Sequence, residues 1–211
     1  MLTKKHVEII LSKLKNNPNP KPSLEQYEIN SNLAAEIVNL AYISGDIKNK
    51  IVLDLGCGSG KLAIASSFFK PKKVYGIDID EKAIKIAIEN VKIAEKISGI
   101  RIGKKIEFLR MDVSNWAERV DTVVQNPPFG IQNKHADRIF LEKALECSRK
   151  VYSLHRSYHK SREFLTKFVE KRGGSVERIV KFEFRLPHTF RFHSRPVVKF
   201  DVDLFVFNKI E

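Results

Sequence analysis

Cysteine is scarce in this sequence of 211 residues, which contains only Cys57 and Cys147, and neither has a neighbouring cysteine to make a zinc site. Two distant cysteines exclude a disulfide framework and favour reduced, small apolar side chains. No run of about 18 apolar residues is present, which excludes a membrane-spanning helix. The first 15 residues also lack the apolar block of a secretory signal, so we expect a cytoplasmic protein.

Acidic residues are also in deficit, with 25 Asp and Glu against 38 Lys and Arg, for a formal net charge of +13 at pH 7. Residues 134–211 hold 18 of the cations and only 10 of the acids. Such an excess favours a polyanionic partner such as RNA, because each neutralised phosphate releases a condensed counterion. A lysine-rich surface of the kind found in proteins from hot environments gives the same imbalance, and the sequence leaves both interpretations open.

The order of predicted elements favours one α/β domain, and the chain is long enough to bury a full core. Strands that alternate with helices form a parallel, doubly wound sheet. No helix fits between the last two strands, so we expect a hairpin whose final strand runs antiparallel to the rest. The predicted strands are about 51–55, 73–78, 105–110, 120–125, 148–154, 176–184 and 198–208, and the helices about 60–70, 80–97, 134–147 and 157–172.

Residues 1–49 precede the first predicted strand. Apolar residues on one face predict helices at about 3–15, with Thr3 as the cap, and at about 31–43. Prolines at positions 18, 20 and 22 break the chain between the two helices. We expect residues 1–49 to fold as a lid over a ligand site formed by residues 50–211.

A glycine-rich loop follows the first predicted strand, with Gly56, Gly58 and Gly60 directly behind Ile51–Leu55. Glycines allow a sharp turn and bring a ligand against the backbone, and the free N–H groups of the next helix point towards such a loop. The sequence therefore predicts a nucleotide-binding loop. The absence of G-K-[ST] argues against a P-loop, and Lys61 in place of the last fingerprint glycine argues against NAD.

Acidic residues stand at the ends of the first three strands. Asp78 lies about 20 residues past the glycine loop, where a carboxylate accepts from ribose hydroxyls, and Asp80 is expected to cap the next helix. Asp112 is placed to accept from an adenine amino group with Val113 against the ring, although a turn aspartate is an equally good interpretation. Asp54 is expected near the cationic end of a ligand.

Asn126, Pro127, Pro128 and Phe129 follow the fourth predicted strand, at the carboxyl end where open α/β sheets bind ligands. The two prolines fix the backbone, so the Pro127 carbonyl and the Asn126 side-chain oxygen offer two acceptors to one amino group. The ring of Phe129 offers a face on which a base stacks, worth about 1–3 kcal/mol. The tetrapeptide predicts a site that positions an exocyclic amine for methylation.

With these two motifs the sequence resembles the Rossmann-like S-adenosylmethionine-dependent amino-methyltransferases with a [DNS]-P-P-[YFW] motif. Within that group it closely resembles the methyltransferase-like protein five family, which methylates N6 of an adenosine in small-subunit ribosomal RNA. The matching segments are 24–27, 54–60, 78–81, 126–130, 152–156, 186–187, 192–193 and 201–204. The resemblance implies S-adenosylmethionine as cofactor and makes residues 50–211 the methyltransferase domain.

The site residues expected from the motifs and from the resemblance fall into three groups, and no metal ligand is among them. Those expected to carry the chemistry are Asn126, Pro127, Pro128 and Phe129. Those expected to bind the cofactor are Gln26, Asp54, Gly56, Cys57, Gly58, Gly60, Leu62, Asp78, Ile79, Asp112, Val113 and Asn126. Those expected to contact RNA are Arg156, Arg191, His193 and Arg195. The last three lie in a stretch where basic residues alternate with aromatic ones, and this stretch is equally well interpreted as a basic hairpin loop.

One position departs from the family, because Ile29 stands where the family usually has Thr, which puts a hydroxyl contact to the cofactor there in doubt. The resemblance also implies a small zinc-binding activator protein as a partner. Two other functions compete: methylation of a protein glutamine amide, which presents the same nitrogen chemistry, and a non-catalytic RNA-binding module. N6-adenine methylation of DNA or of another RNA is the nearest variant of the main hypothesis.

Overall fold

The computed structural model of the chain describes residues 2–130, 136–187 and 197–209. Its strands are β1 (Ile51–Leu55), β2 (Lys73–Asp78), β3 (Ile106–Arg110), β4 (Val120–Gln125), β5 (Ser148–Arg156), β6 (Gly174–Pro187) and β7 (Val197–Lys209). Its helices are α1 (Lys4–Ser12), α2 (Ser31–Ile43), α3 (Lys61–Ser67), α4 (Glu81–Ser98), α5 (Ala136–Cys147) and α6 (His159–Glu170). Short 3₁₀ turns form at Pro22–Leu24 and Val113–Asn115. None of the helices in these ranges is long and apolar enough to cross a membrane.

The seven strands form one sheet in the order β3-β2-β1-β4-β5-β7-β6. Strands β1 to β5 pair in parallel, and β7 is antiparallel to both β5 and β6. The predicted doubly wound sheet with an antiparallel last strand is therefore confirmed. The chain order reverses between β1 and β4, so a crevice is expected at their carboxyl ends.

All predicted helices and strands are present, and the differences lie at their ends. Helix α1 begins at the predicted cap, since Thr3 Oγ1 accepts from the backbone N–H of His6. It ends at Ser12, earlier than predicted, and beyond it the backbone N–H of Lys15 donates to the Asn90 side chain on α4 at 2.8 Å. Strand β6 runs three residues further than predicted because pairing with β7 continues as far as Pro187 opposite Val197.

The sheet is buried on both faces, which explains why its central strands are almost continuously apolar. One face carries α1 to α4 with Val52, Val124 and Leu204 beneath them. The other carries α5 and α6 with Leu53 and Val123 beneath them. Both cysteines are buried and reduced, as predicted.

The segment between α1 and α2 crosses the carboxyl edge of the sheet. It is held there by Asn90 of α4, whose side chain bonds the backbone N–H and carbonyl of Lys15 and the carbonyl of Ser59 in the glycine loop. Residues 13–30, called the strap below, therefore pass directly over the ends of β1 and β2.

Candidate active site

A cavity of about 270 Å³ opens at the carboxyl ends of β1 to β4. The strap forms one wall, and the start of α5 forms another through Ile139 and Phe140. The predicted site residues that border it are Gln26, Asp54, Gly56, Cys57, Gly58, Leu62, Asp78, Ile79, Asp112, Val113, Asn126 and Pro128. Residues separated by as much as 102 positions in the chain thus meet around one space.

The glycine loop presents bare backbone to this cavity. Gly58 has φ +53°, a left-handed conformation, and a Cβ built there would meet no atom within 4 Å. Gly56 is different, since a Cβ there would lie 2.6 Å from the ring of Phe140 on α5. Gly60 does not border the cavity and packs against Phe108 and Ala87 instead. The loop therefore leaves open space at Gly58, whereas Gly56 and Gly60 on either side of it are closely packed against other side chains.

Asp78 is fixed by the main chain. Its Oδ2 accepts from the backbone N–H of Gly58 at 2.9 Å, and its Oδ1 accepts from that of Asp80 at 2.9 Å. Burial raises the pKa of Asp78, and these two hydrogen bonds act in the opposite direction. Because a carboxylate has about four lone-pair sites, two accepted bonds leave acceptor capacity beside the cavity.

Gln26 joins the strap to the start of α4. Its Nε2 donates to Asp80 Oδ2 at 3.0 Å, while its Oε1 accepts from Asn17 Nδ2 and from the backbone N–H of Lys21. Both ends of the amide are thus engaged with protein groups, although the residue borders the cavity. Asp80 also accepts from the backbone N–H of Lys82, which confirms it as the predicted cap of α4.

Asp54 lies at the floor of the cavity with 1% of its surface exposed. Its Oδ2 accepts from the backbone N–H of Ala63 in the first turn of α3, and its Oδ1 has no hydrogen-bond partner. Burial raises the pKa of this carboxyl to about 8, with the Ala63 hydrogen bond opposing the rise and the nearby charge of Asp78 adding to it. A positively charged group beside Asp54 would stabilise its ionised form.

Asp112 combines the two roles that the sequence left open. Its Oδ1 accepts from the backbone N–H and the hydroxyl of Ser114, which makes it a turn aspartate. It also borders the cavity together with the buried Val113 and the half-exposed Ile79. These three residues form the end of the cavity nearest β3.

Asn126 is held in one orientation. Its Nδ2 donates to the backbone carbonyl of Tyr27 in the strap at 3.1 Å. A carbonyl only accepts, so the opposite amide orientation would place two acceptors together. The Asn126 Oδ1 is consequently left buried without a partner, on a residue that borders the cavity. Pro127 is buried next to it, and Pro128 lines the cavity.

Phe129 lies outside the cavity wall in an aromatic cluster. Its ring is nearly parallel to that of Tyr27, at 18° with centroids 6.3 Å apart, and is nearly perpendicular to the rings of Phe184 and Phe200. The Arg156 guanidinium lies 4.7 Å from the Phe200 ring centroid, and its buried Nε has no hydrogen-bond partner. Arg191, His193 and Arg195 lie outside the described residues.

Sequence reasoning missed a buried lysine that ties the strap to the glycine loop. Lys61 has 6% of its surface exposed, and its Nζ donates to Asn16 Oδ1 at 2.8 Å and to the carbonyl of Ile29 at 3.1 Å. Burial lowers its pKa, and the Glu28 carboxylate 3.6 Å away acts against that. The side chain of Ile29 is packed in the core. No sequence pattern marks Lys61 as buried, because the strap groups that bind its Nζ are 32 and 45 positions away in the chain.

The chain is similar to one known family over part of its length and to another over nearly all of it. The sequence model of the ribosomal protein L11 methyltransferase (PrmA) family matches residues 38–127. The rRNA N(6)-adenosine-methyltransferase METTL5 of Danio rerio is 32% identical, over 96% of this chain and 97% of its own length. The metl-5 enzyme of Caenorhabditis elegans, which carries the same activity in its name, is 31% identical over 96% of both chains.

A solved structure is similar over the whole molecule. PH1948 from Pyrococcus horikoshii, named as a candidate RNA methyltransferase, superposes with a TM-score of 0.89. It is 40% identical, and each chain is covered completely. The strap, the sheet and the paired last strands are thus part of a fold shared across the full length.

Proposed function

Because this chain belongs to the family of the rRNA N6-adenosine-methyltransferases METTL5, we propose that it methylates N6 of an adenosine in small-subunit ribosomal RNA, with S-adenosylmethionine as methyl donor. The observation that carries the proposal is the buried, unpartnered Oδ1 of Asn126, which the Tyr27 carbonyl holds in place beside the cavity. Buried acceptors are normally satisfied, and the N–H of a substrate amine would satisfy this one.

The cavity fits the cofactor in charge and in hydrogen bonding. S-adenosylmethionine supplies a methyl group attached to a positively charged sulfur. Asp78 has acceptor capacity for the ribose hydroxyls, and open space at Gly58 admits the ligand against the backbone. The unpartnered Asp54 Oδ1 provides a negative charge for the cationic end, and Asp112 and Val113 border the space for the adenine.

Asn126 and Pro127 position the target nitrogen. Two acceptors, Asn126 Oδ1 and the Pro127 carbonyl, take the two N–H bonds of the exocyclic amine and draw its lone pair out of conjugation with the base. The lone pair then points along the direction in which the new carbon–nitrogen bond forms. No general base is required, because a nitrogen that has gained the methyl group is acidic and releases its proton.

The target nucleotide must leave any helix in which it is stacked, because Asn126 lies at the edge of a cavity and not on an open surface. Single-stranded or flipped adenosines meet this condition, and Phe129 offers a ring on which the base stacks. Arg156 beside the aromatic cluster, together with the basic residues Arg191, His193 and Arg195, is assigned to the RNA strand. The excess of cations in residues 134–211 supports that assignment.

A small zinc-binding activator protein is proposed as a partner on the strength of the family resemblance. The sheet offers two edge strands that suit such a contact, β3 and β6, since within the described residues each pairs with a single neighbour. An edge strand presents unpaired backbone groups to which a second chain can add a strand. Co-purification of the two proteins, followed by a change in hydrogen exchange along β3 or β6, would test this partner.

The proposed function is tested by single-turnover methylation of small-subunit ribosomal RNA, with the product nucleoside identified after digestion. Asn126→Ala should lower the rate by about 10²–10³, the range for loss of one preorganised polar group at a reacting centre. Cofactor affinity, measured by calorimetry, should change much less. Near-normal transfer by Asn126→Ala, or methyl label on protein glutamine and none on adenosine, would refute the proposal.

A further inference from the structure

The rings of Tyr27 and Phe129 lie next to each other, close to Asn126. Tyr27 belongs to the strap and borders the cavity, whereas Phe129 follows β4. The two rings are within 18° of parallel, and their centroids are 6.3 Å apart. Stacked bases repeat about every 3.4 Å, so a base held between two rings needs about 6.8 Å. The centroid distance is the largest gap that the two ring planes can have, so the rings must move apart by at least about half an ångström to admit a base.

Both rings belong to residues that are connected to Asn126, one by a hydrogen bond and the other along the chain. The carbonyl of Tyr27 accepts from Asn126 Nδ2, and Phe129 is only three residues further along the chain. Phe184 and Phe200 meet the Phe129 ring at 87° and 89°, which holds its plane. A base between the two rings therefore has its edge next to the acceptor that the proposed reaction uses.

The strap is built to present Tyr27 at this point. Glu25, two residues earlier, has φ +48°, a left-handed conformation that is uncommon for a residue other than glycine. The backbone N–H of Tyr27 donates to the carbonyl of Glu25 at 2.7 Å, which closes a tight turn. A strained turn that ends in an aromatic residue facing a site is expected where function requires that placement.

We propose that Tyr27 is a base-binding residue, whose ring covers one face of the target adenine while Phe129 covers the other. The inference rests on the proposed function and adds to it a second stacking residue contributed by the strap. The Arg156 guanidinium lies close to the same place, because it covers the ring of Phe200, which meets the Phe129 ring edge-on. A guanidinium at this position suits the phosphate next to a base held between the rings.

The test compares Tyr27→Phe, Tyr27→Leu and Tyr27→Ala in single-turnover methylation of ribosomal RNA. Tyr27→Phe keeps the ring and should stay within about two-fold of the unmodified protein. Tyr27→Leu keeps apolar volume without a ring face and, like Tyr27→Ala, should lose about 5- to 150-fold in kcat/KM, the range for one base stacked on one aromatic ring. Cofactor affinity, which reports on the strap, should be unchanged in Tyr27→Phe and Tyr27→Leu.

A second measurement reports directly on stacking. The methylated adenosine is first mapped, and a short RNA is made with 2-aminopurine at that position, because the fluorescence of this base is quenched by stacking. Binding to the unmodified protein should quench the emission, and binding to Tyr27→Leu should leave it brighter.

Four outcomes separate the hypotheses. Equal activity of Tyr27→Leu and the unmodified protein, or equal loss in Tyr27→Phe and Tyr27→Leu, would overturn the role of the Tyr27 ring while N6-methyladenosine is still formed. Loss of cofactor affinity in Tyr27→Leu that matches its loss of activity would make Tyr27 a strap-packing residue and would also overturn the proposal. Failure of the unmodified protein to form N6-methyladenosine would instead reject the proposed function itself.

Discussion

The cofactor side and the substrate side of the cavity are built differently. On the cofactor side, Asp78 and Asp54 each accept hydrogen bonds from backbone N–H groups of the glycine loop, of α3 or of the start of α4. On the substrate side, a main-chain carbonyl orients Asn126, but Phe129 and Arg156 are held by contacts between side chains, mostly aromatic. Contacts to main-chain groups are set by the fold, whereas contacts between side chains change when the side chains are substituted.

The comparison with known proteins follows the same division. The part of the chain that matches the ribosomal protein L11 methyltransferase family ends at Pro127, so it contains the cofactor side and stops within the Asn-Pro-Pro-Phe segment. The METTL5 relatives continue through β5, β6 and β7. This division agrees with the roles proposed for the two sides, the first for the methyl donor and the second for the molecule that is methylated.

Among the expected changes in binding, the largest should come from removing a carboxylate from the cofactor side. Asp78→Ala is expected to raise the Kd for S-adenosylmethionine by about 10- to 150-fold, because it removes charge-assisted hydrogen bonds worth about 1.5–3 kcal/mol. Calorimetry gives the Kd, and circular dichroism checks that the variant is folded. Glu170→Ala, which removes an exposed acid on α6, is the matched control and should bind normally. An unchanged Kd in folded Asp78→Ala would remove this residue from the site.

Reversing a charge on the substrate side should have a smaller effect and should spare the cofactor. Arg156→Glu is expected to weaken RNA binding about 10-fold and to reduce the slope of log affinity against log salt by about 1. Arg101→Glu makes the same change in net charge at an exposed position ahead of β3.

Filter binding at several salt concentrations measures the salt dependence of RNA binding for each of the two variants. Equal losses in Arg156→Glu and Arg101→Glu would indicate a general charge effect. A flat salt response in the unmodified protein would favour the lysine-rich surface of a protein from a hot environment. Reversal of Arg191 and Arg195 extends the same test to the basic stretch near the end of the chain.

The smallest expected effect is a pH dependence of cofactor binding. Burial raises the pKa of Asp54 to about 8, so below that pH the carboxyl is protonated in the free protein. A cationic ligand favours the ionised form, and binding then expels a proton. Affinity should rise about five-fold from pH 7 to pH 8 and level off above that.

Asp54→Asn provides the control for this pH dependence, because its amide does not titrate. Calorimetry in buffers of different ionisation enthalpy should show proton release in the unmodified protein and less in Asp54→Asn. The same pH profile in both proteins would show that the titrating group is not Asp54.

The sequence by itself identified the residues proposed to carry the chemistry and the order of the helices and strands. Local patterns are sufficient for this, because a buried strand followed by glycines, or an Asn-Pro-Pro-Phe segment after a strand, is encoded within about ten consecutive residues. The alternation of strands and helices similarly fixed the doubly wound sheet, and the lack of a helix between the last two strands fixed the antiparallel end.

Tertiary structure alone decided which partners those residues have. Gln26 was expected to contact the cofactor, yet its amide is bonded to Asp80, Asn17 and Lys21. Lys61 is buried because the strap crosses it, and Asn126 is oriented by a carbonyl 99 residues earlier in the chain. These contacts join segments that are distant in sequence. Neither a long-range hydrogen bond nor burial beneath another segment produces a periodic pattern in the sequence around the residues involved, so only the folded chain shows them.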